Sequence, residues 1–413
     1  MPLSSAVSIH PIEAKTGLAR ARLPEAFLVS LYRALAPYRG CAHGCIYCDG
    51  RAEKYYVEGD FARDISVREN LPEIIARDVS AGVGAREFGA ICIGSGVTDV
   101  YQGVEAELGL TRKTLEILSE TGLPLVILTK SDLIQRDFDV ISRFPKAVVI
   151  FTATTVNAAD AARLEPGASP PADRLAAVAR AREAGFSSGI MAMPLCPGIS
   201  DSDESLDSLL DAALAAGAEF AYPGGLTLRP GCQKDGFFEL LDRSYPSLRP
   251  LYEELYRENR PSGMPLASLS GGFHSRLDAK VRGRGLSQMI PHRIYRDLLS
   301  PPDALFVLFC HMQTLYSYRG IDTRPLKAAT DRYAAWLAEE RTSLRRKRIP
   351  ILSSDPFPIT RILAERLRDR LSASLAASGA PSFLGNARLE SLGREILEGG
   401  CYFDYPSLKI VKG

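Results

Sequence analysis

A chain of 413 residues, 46% apolar and 24% charged, is long enough to bury one large core and has the composition of an ordinary globular protein. Its formal net charge of +1 gives no global pull toward nucleic acid, so any such affinity has to be local. The longest apolar run, 304–310, is far too short to span a bilayer, and residues 1–20 carry no apolar stretch after a basic start, which predicts a cytoplasmic protein without a membrane partner.

In chain order, the first strand is expected just ahead of the run Tyr38-Arg-Gly-Cys-Ala-His-Gly-Cys-Ile-Tyr-Cys-Asp49. The C-x3-C-x2-C spacing puts three thiols, Cys41, Cys45 and Cys48, on one short loop. Structural zinc takes four protein donors, whereas a [4Fe-4S] cluster held by three cysteines keeps one iron open to another ligand. A zinc knuckle completed by His43 is the competing reading. The segment 49–57 follows with charges and two adjacent tyrosines, and is expected to cover the loop and line an entrance.

Further strands are predicted over 90–94 and 147–152. Three units then repeat one pattern: helix 110–121, Gly122, strand 123–129; helix 172–184, Gly185, strand 186–193; helix 204–216, Gly217, strand 219–228. Glycine accepts the left-handed conformation that stops a helix, and the alternation predicts a parallel sheet covered by helices. Periodicity alone allows a doubly wound open sheet or a partial barrel. Beyond Gly236 helices are expected over 237–260 and 325–348, with a glycine-, serine- and arginine-rich loop over 263–285. The expected division is an N-terminal extension (1–20), a core (21–235) and a mainly helical region (236–413), which either covers the open side of the core or forms a small domain of its own.

Lys130 ends a strand that is otherwise apolar and can supply a cation to a carboxylate. Asp99 can cap the helix after it, and Glu165 with Arg174 can form an ion pair that shapes the site. Eight cysteines in this length do not make a disulfide scaffold. Of the five outside the loop, Cys92 is expected to pack in the core. Cys196, in a loop after a strand, is the candidate substrate-facing thiol, with a pKa expected below the free value of about 8.5. Arg276, Lys280, Arg282 and Arg284, and again Arg341, Arg345, Arg346, Lys347 and Arg348, form basic runs. These are solvated faces or a grip for phosphate, which leaves nucleic acid open as a partner.

The cysteine run, with Tyr47 before its last cysteine, resembles that of the radical S-adenosylmethionine (SAM) enzymes. Over residues 38–229 the chain is similar to the spore photoproduct lyase-like family, on five further segments. They are Gly94-Ser-Gly-Val-Thr-Asp-Val-Tyr-Gln102 with Glu105 and Leu110-Thr-Arg112; Thr129-Lys-Ser131; Leu164-Glu-Pro-Gly167 with Arg174; Met193-Pro194; and Pro197-Gly-Ile-Ser-Asp201. The resemblance implies an α/β fold, a partial (β/α)6 TIM-type barrel with a C-terminal helical extension. It implies a [4Fe-4S] cluster whose open iron takes the amine and carboxylate of S-adenosyl-L-methionine, and reductive cleavage to a 5'-deoxyadenosyl radical. It also implies an electron donor of the flavodoxin or ferredoxin type.

By the same resemblance Lys130 receives the SAM carboxylate and Thr98 contacts the same end of SAM. Thr152 and Thr154 face the ribose, Tyr47 borders the adenine or the cluster, and Arg174 belongs to the cofactor site. Two positions depart from the photoproduct lyases: Gly96 stands where they carry a hydrogen-donor cysteine, and Asp49 where they carry a tyrosine after the third cluster cysteine. The expected function is therefore radical SAM chemistry on a substrate that no motif names. The alternatives are a lyase repairing DNA or RNA photolesions and a zinc-bearing nucleic-acid-binding module.

Overall fold

Seven strands share one sheet in the computed structural model, which describes residues 7–55, 57–81, 87–94, 97–267, 272–346, 358–377 and 382–413. They are β1 (Leu18–Glu25), β2 (Ser30–Ala34), β3 (Ile91–Ile93), β4 (Leu125–Thr129), β5 (Ala147–Thr152), β6 (Ser187–Leu195) and β7 (Ala221–Gly225). Their order in space is their order in sequence. Strands β2 to β7 run parallel, and β1 closes one edge antiparallel to β2. A doubly wound sheet reverses its strand order at a switch point; this one does not, so that alternative falls. The six parallel strands are those expected from the sequence. The antiparallel edge strand was not expected, and it crosses residues 20 and 21.

Strand β5 shows why the sheet is covered twice. All six of its residues are buried, and successive side chains point to opposite faces. Val149 and Phe151 join Ile127 and Ile190 in a cluster with helices α1 (Leu71–Ser80), α2 (Leu110–Ser119), α3 (Pro171–Glu183) and α4 (Asp203–Ala215). Val148 and Ile150 join Cys92, Val126 and Met191 in a second cluster with Leu305, Leu308, Phe309 and Met312 of a long C-terminal helix (Pro301–Tyr318). A strand buried on both faces reads as a continuous apolar run, and Cys92 packs as expected.

The crossover helices end as the glycine pattern predicts. After α3, Gly185 (φ +88°) donates to Arg182 O at 3.0 Å and Phe186 N–H to Ala181 O at 3.0 Å. After α4, Gly217 and Ala218 bond Leu214 and Ala213 in the same way at 2.9 and 3.0 Å. Both are Schellman caps, which bring the chain back to the sheet at once.

Three expectations change. The helix expected over 237–260 is two, Cys232–Ser244 and Arg249–Leu255, because Pro246 and Pro250 cannot continue the first. The loop expected over 263–285 contains the helix Phe273–Gly283, whose Leu277 and Val281, four apart, are buried. Strand β7 is shorter than expected, with a register shift between Pro223 and Gly225.

Candidate active site

The candidate residues end or follow the parallel strands at their C-terminal ends, where α/β folds place their ligands, except Arg174, which lies in the first turns of α3. The cysteine loop leaves β2, and its backbone is tied down from several elements. The buried side chain of Gln102 accepts from Ala42 N–H (2.7 Å) and donates to Gly40 O (3.2 Å) and Thr98 Oγ1 (3.1 Å). Thr98 Oγ1 donates to Gly40 O at 2.6 Å. Arg51 donates to Cys45 O (2.8 Å) and Gly44 O (2.9 Å). A strap over 164–167 crosses the loop: Ile46 N–H donates to Leu164 O and Gly167 N–H to His43 O, both at 2.9 Å. The strap runs so close that a Cβ on Gly167 would stand 2.2 Å from Ala42 O, which only glycine tolerates.

With the backbone satisfied, three reduced thiols remain. Cys41 and Cys45 are buried and Cys48 half-buried. Burial pushes all three thiols up, Cys45 to about 12, and each feels charged neighbours that include another loop cysteine, Asp99 or Asp49. The Lys130 ammonium works the other way on Cys45 and Cys48, and Gly50 N–H points to Cys48 Sγ at 3.4 Å.

Behind the loop is a buried polar chain. Tyr47 donates its hydroxyl to Glu165, whose other oxygen takes Arg174. Arg174 also donates to Ser169 O (2.6 Å) and Thr152 O (2.8 Å), and Thr154 Oγ1 donates to Glu165 Oε1 (3.2 Å). Arg174, 1% exposed, is thus committed to the chain itself. Burial would raise the Glu165 carboxyl, but Arg174 and then Lys130 hold it below its ordinary range. Lys130 is half-buried, 5.8 Å from the centre of the Tyr47 ring, with no ion-pair partner among the described residues.

Asp99 acts as more than a cap. It accepts from Tyr101 N–H (2.9 Å), Thr129 Oγ1 (2.7 Å) and Lys130 N–H (2.7 Å), and so ties the end of β4 to the turn after β3. His43 Nε2 stands 3.3 Å from Asp99 Oδ2 without a well-aligned hydrogen bond, and His43 Nδ1 lies 2.9 Å from Gly167 O. Both ring nitrogens thus face Asp99 and the strap, which removes His43 as a fourth zinc donor.

Asp49 is clasped by the far end of the core. It accepts from Thr227 Oγ1 (3.1 Å), Gln233 Nε2 (3.1 Å) and both Nε (3.2 Å) and Nη2 (3.1 Å) of Arg229. Gln233 also donates to Tyr47 O at 2.8 Å. Neither this clasp nor the Gln102 and Arg51 ties were anticipated. Gln102 lay within a recognised segment, four residues after Thr98, but nothing local marks Gln233. Cys196 reverses its expectation: it is fully buried, and burial, with Glu165 and Asp201 adding to it, pushes its thiol up rather than down. It belongs to one buried apolar cluster with Tyr47 and Tyr252. Gly96 and Tyr56 lie outside the described residues.

The donor set fits an iron–sulfur cluster: three reduced thiols on one braced loop, with a cation beside them.

Comparison with known proteins agrees. The radical SAM superfamily model matches residues 35–210. The chain is 31% identical over 263 residues to the protein Rv2578c of Mycobacterium tuberculosis, covering 62% of this chain and 76% of that one. It is 28% identical over 200 residues to MJ0683 of Methanocaldococcus jannaschii, covering 48% and 72%. Among solved structures, a point mutant of spore photoproduct lyase shares the fold, with a TM-score of 0.50 and 17% identity over 67% of this chain and 79% of that one. The chain belongs to the radical SAM superfamily and is a radical SAM enzyme, with a [4Fe-4S] cluster and S-adenosylmethionine as its cofactors.

Proposed function

We propose that Cys41, Cys45 and Cys48 hold the cluster and that Lys130 receives the carboxylate of SAM, on a partial (β/α)6 barrel within residues 21–235 whose inner face the helical residues 236–413 cover. The observation that carries this reading is the Lys130 ammonium, without an ion-pair partner among the described residues and acting on Cys45, Cys48 and Glu165 together. A cluster held by Cys41, Cys45 and Cys48, with SAM beside Lys130, would supply reductive cleavage of SAM and, through it, hydrogen-atom abstraction chemistry. The chain's own work is positional. Gln102, Thr98 and Arg51 fix the loop, the Tyr47–Glu165–Arg174 chain fixes the floor behind it, and Asp99 fixes Lys130 through its backbone N–H. We assign Thr98, Tyr47, Thr152 and Thr154 to the walls of the SAM site, and Arg174 to holding Thr152 directly and Tyr47 and Thr154 through Glu165.

Repair of a pyrimidine photolesion is not favoured. Asp49, at the position of the lyases' tyrosine, has its carboxylate engaged by Thr227, Arg229 and Gln233, and Cys196 is packed away. An electron donor of the flavodoxin or ferredoxin type and a cytoplasmic setting complete the proposal.

Replacing one ligand tests it. Cys45→Ala should keep the fold, because the two sheet clusters carry their own apolar core, while iron retention and 5'-deoxyadenosine formation under dithionite are lost. Wild-type yield of 5'-deoxyadenosine from this variant would refute the ligand assignment.

A further inference from the structure

The basic run that the sequence offered as a phosphate grip is neutralised within the protein. Arg276, Lys280 and Arg284 pair with Asp203, Asp207 and Asp211 of α4, at 2.5 to 3.3 Å, and Arg282 faces Asp278 at 3.5 Å. Arg341 is buried against Asp303 and Glu87. Lys347 and Arg348, and the side chains of Arg345 and Arg346, lie outside the described residues.

A different set of arginines has no such partners. A recess of about 250 Å³ opens beside the cysteine loop, lined by Arg33, Arg39 and Arg68 with Tyr55, Thr98 and Gly40. Among the described residues no carboxylate lines it, and none of the three arginines makes an ion pair. Arg33 and Arg39 are exposed. Arg68 is 9% exposed and spends one nitrogen on Ala36 O (2.9 Å) and Tyr38 O (3.0 Å). Burial, and then the neighbouring Arg39, work against its charge. A buried arginine is rare unless paired. Three guanidinium groups on one concave wall without a counter-charge therefore suit an anion from outside.

Guanidinium forks match phosphate oxygens. Ligand pockets usually start at about 300 Å³, so a recess of this size holds one group of a larger molecule. Two of its wall residues are bonded to each other, Thr98 and Gly40, and Gly40 is the chain neighbour of Cys41. We propose that this recess binds a phosphate group of the substrate and so brings the rest of that molecule over the cysteine loop. Calling the ligand the substrate rests on the radical SAM reading; the anion site itself does not.

The test uses the full-length chain and calorimetric titration with matched pairs: ribose 5-phosphate against ribose, and a single-stranded DNA decamer against its uncharged methylphosphonate analogue. The phosphate-bearing member of at least one pair should bind roughly ten- to a hundred-fold tighter, and Arg33→Gln combined with Arg39→Gln should abolish the preference. Both side chains are exposed and make no internal bond among the described residues, so the fold should survive. Arg68→Lys, which keeps the charge and loses the fork, should weaken it in part. Preference for ribose 5-phosphate makes the source a small ester, and preference for the decamer alone makes it a polynucleotide backbone. Equal binding within both pairs, or an undiminished preference in the double variant, would overturn the site. So would a double variant whose only defect is slower reduction by an acidic electron-transfer protein, since the face would then be a docking surface. SAM cleavage by the wild-type protein, measured alongside, judges the enzyme reading separately.

Discussion

Lys130 stands where one cation acts on two thiols and a carboxylate at once, and it makes no ion pair among the described residues. Lys130→Met keeps the aliphatic stem and removes that charge. Iron content should stay at the wild-type level while SAM binds about ten- to a hundred-fold more weakly, the equivalent of about 1.5 to 3 kcal/mol for a charge-assisted contact; equilibrium dialysis with labelled SAM reads this directly. Unchanged affinity would move Lys130 out of the site.

Asp99 allows a pH test. Burial raises its carboxyl, but the His43 charge, its contact with that ring, and N–H groups of Lys130 and Tyr101 together pull it down to about 2, from about 3.9 in an unfolded chain. A depressed carboxylate stabilises the fold above the unfolded pKa, and that stability is lost as pH falls through the folded one. The wild type should exceed Asp99→Asn by about 2 to 3 kcal/mol near neutrality, and the gap should shrink between about pH 4 and pH 2 in urea titrations. A gap independent of pH would mean that the carboxylate charge does not matter. Residues whose chemistry is local, the three cysteines and the lysine ending an apolar strand, were legible in the sequence. The pairing of Arg276 was not, because that charge meets its partner only when α4 packs beside the helix Phe273–Gly283, and neither was the lack of an ion pair at Arg33 among the described residues.

At the scale of elements, the glycine after each of the three helices α2, α3 and α4 was the most reliable signal, because the left-handed turn it permits has a direct steric cause. Gly185→Ala isolates that cause: φ is +88° and a Cβ would meet nothing within 4 Å. The expected loss is about 1 kcal/mol, read as a lowered urea midpoint with unchanged slope. No loss would show that the cap conformation relaxes. The helix Phe273–Gly283 was hidden for the opposite reason. Its stretch is rich in glycine, serine and arginine, and its lasting contacts are two buried apolar residues and a ladder of ion pairs to another helix.

Across the whole molecule, the monotonic order of the parallel strands gathers their C-terminal ends on one side, and the chain uses that side to hold a single loop. Asp49, next to the last cysteine, is clasped by Arg229, 180 residues away, so the loop is braced by both ends of the core. No local pattern announces a contact of that separation. The C-terminal helix Pro301–Tyr318 covers the other face of the sheet. The central claim is that this loop carries an iron–sulfur cluster that cleaves SAM. Its most direct test is anaerobic reconstitution followed by iron, sulfide and zinc analysis and a dithionite assay for 5'-deoxyadenosine. The account predicts about four iron and four sulfide per chain, with 5'-deoxyadenosine formed from SAM; stoichiometric zinc without sulfide, and no SAM cleavage, would contradict it.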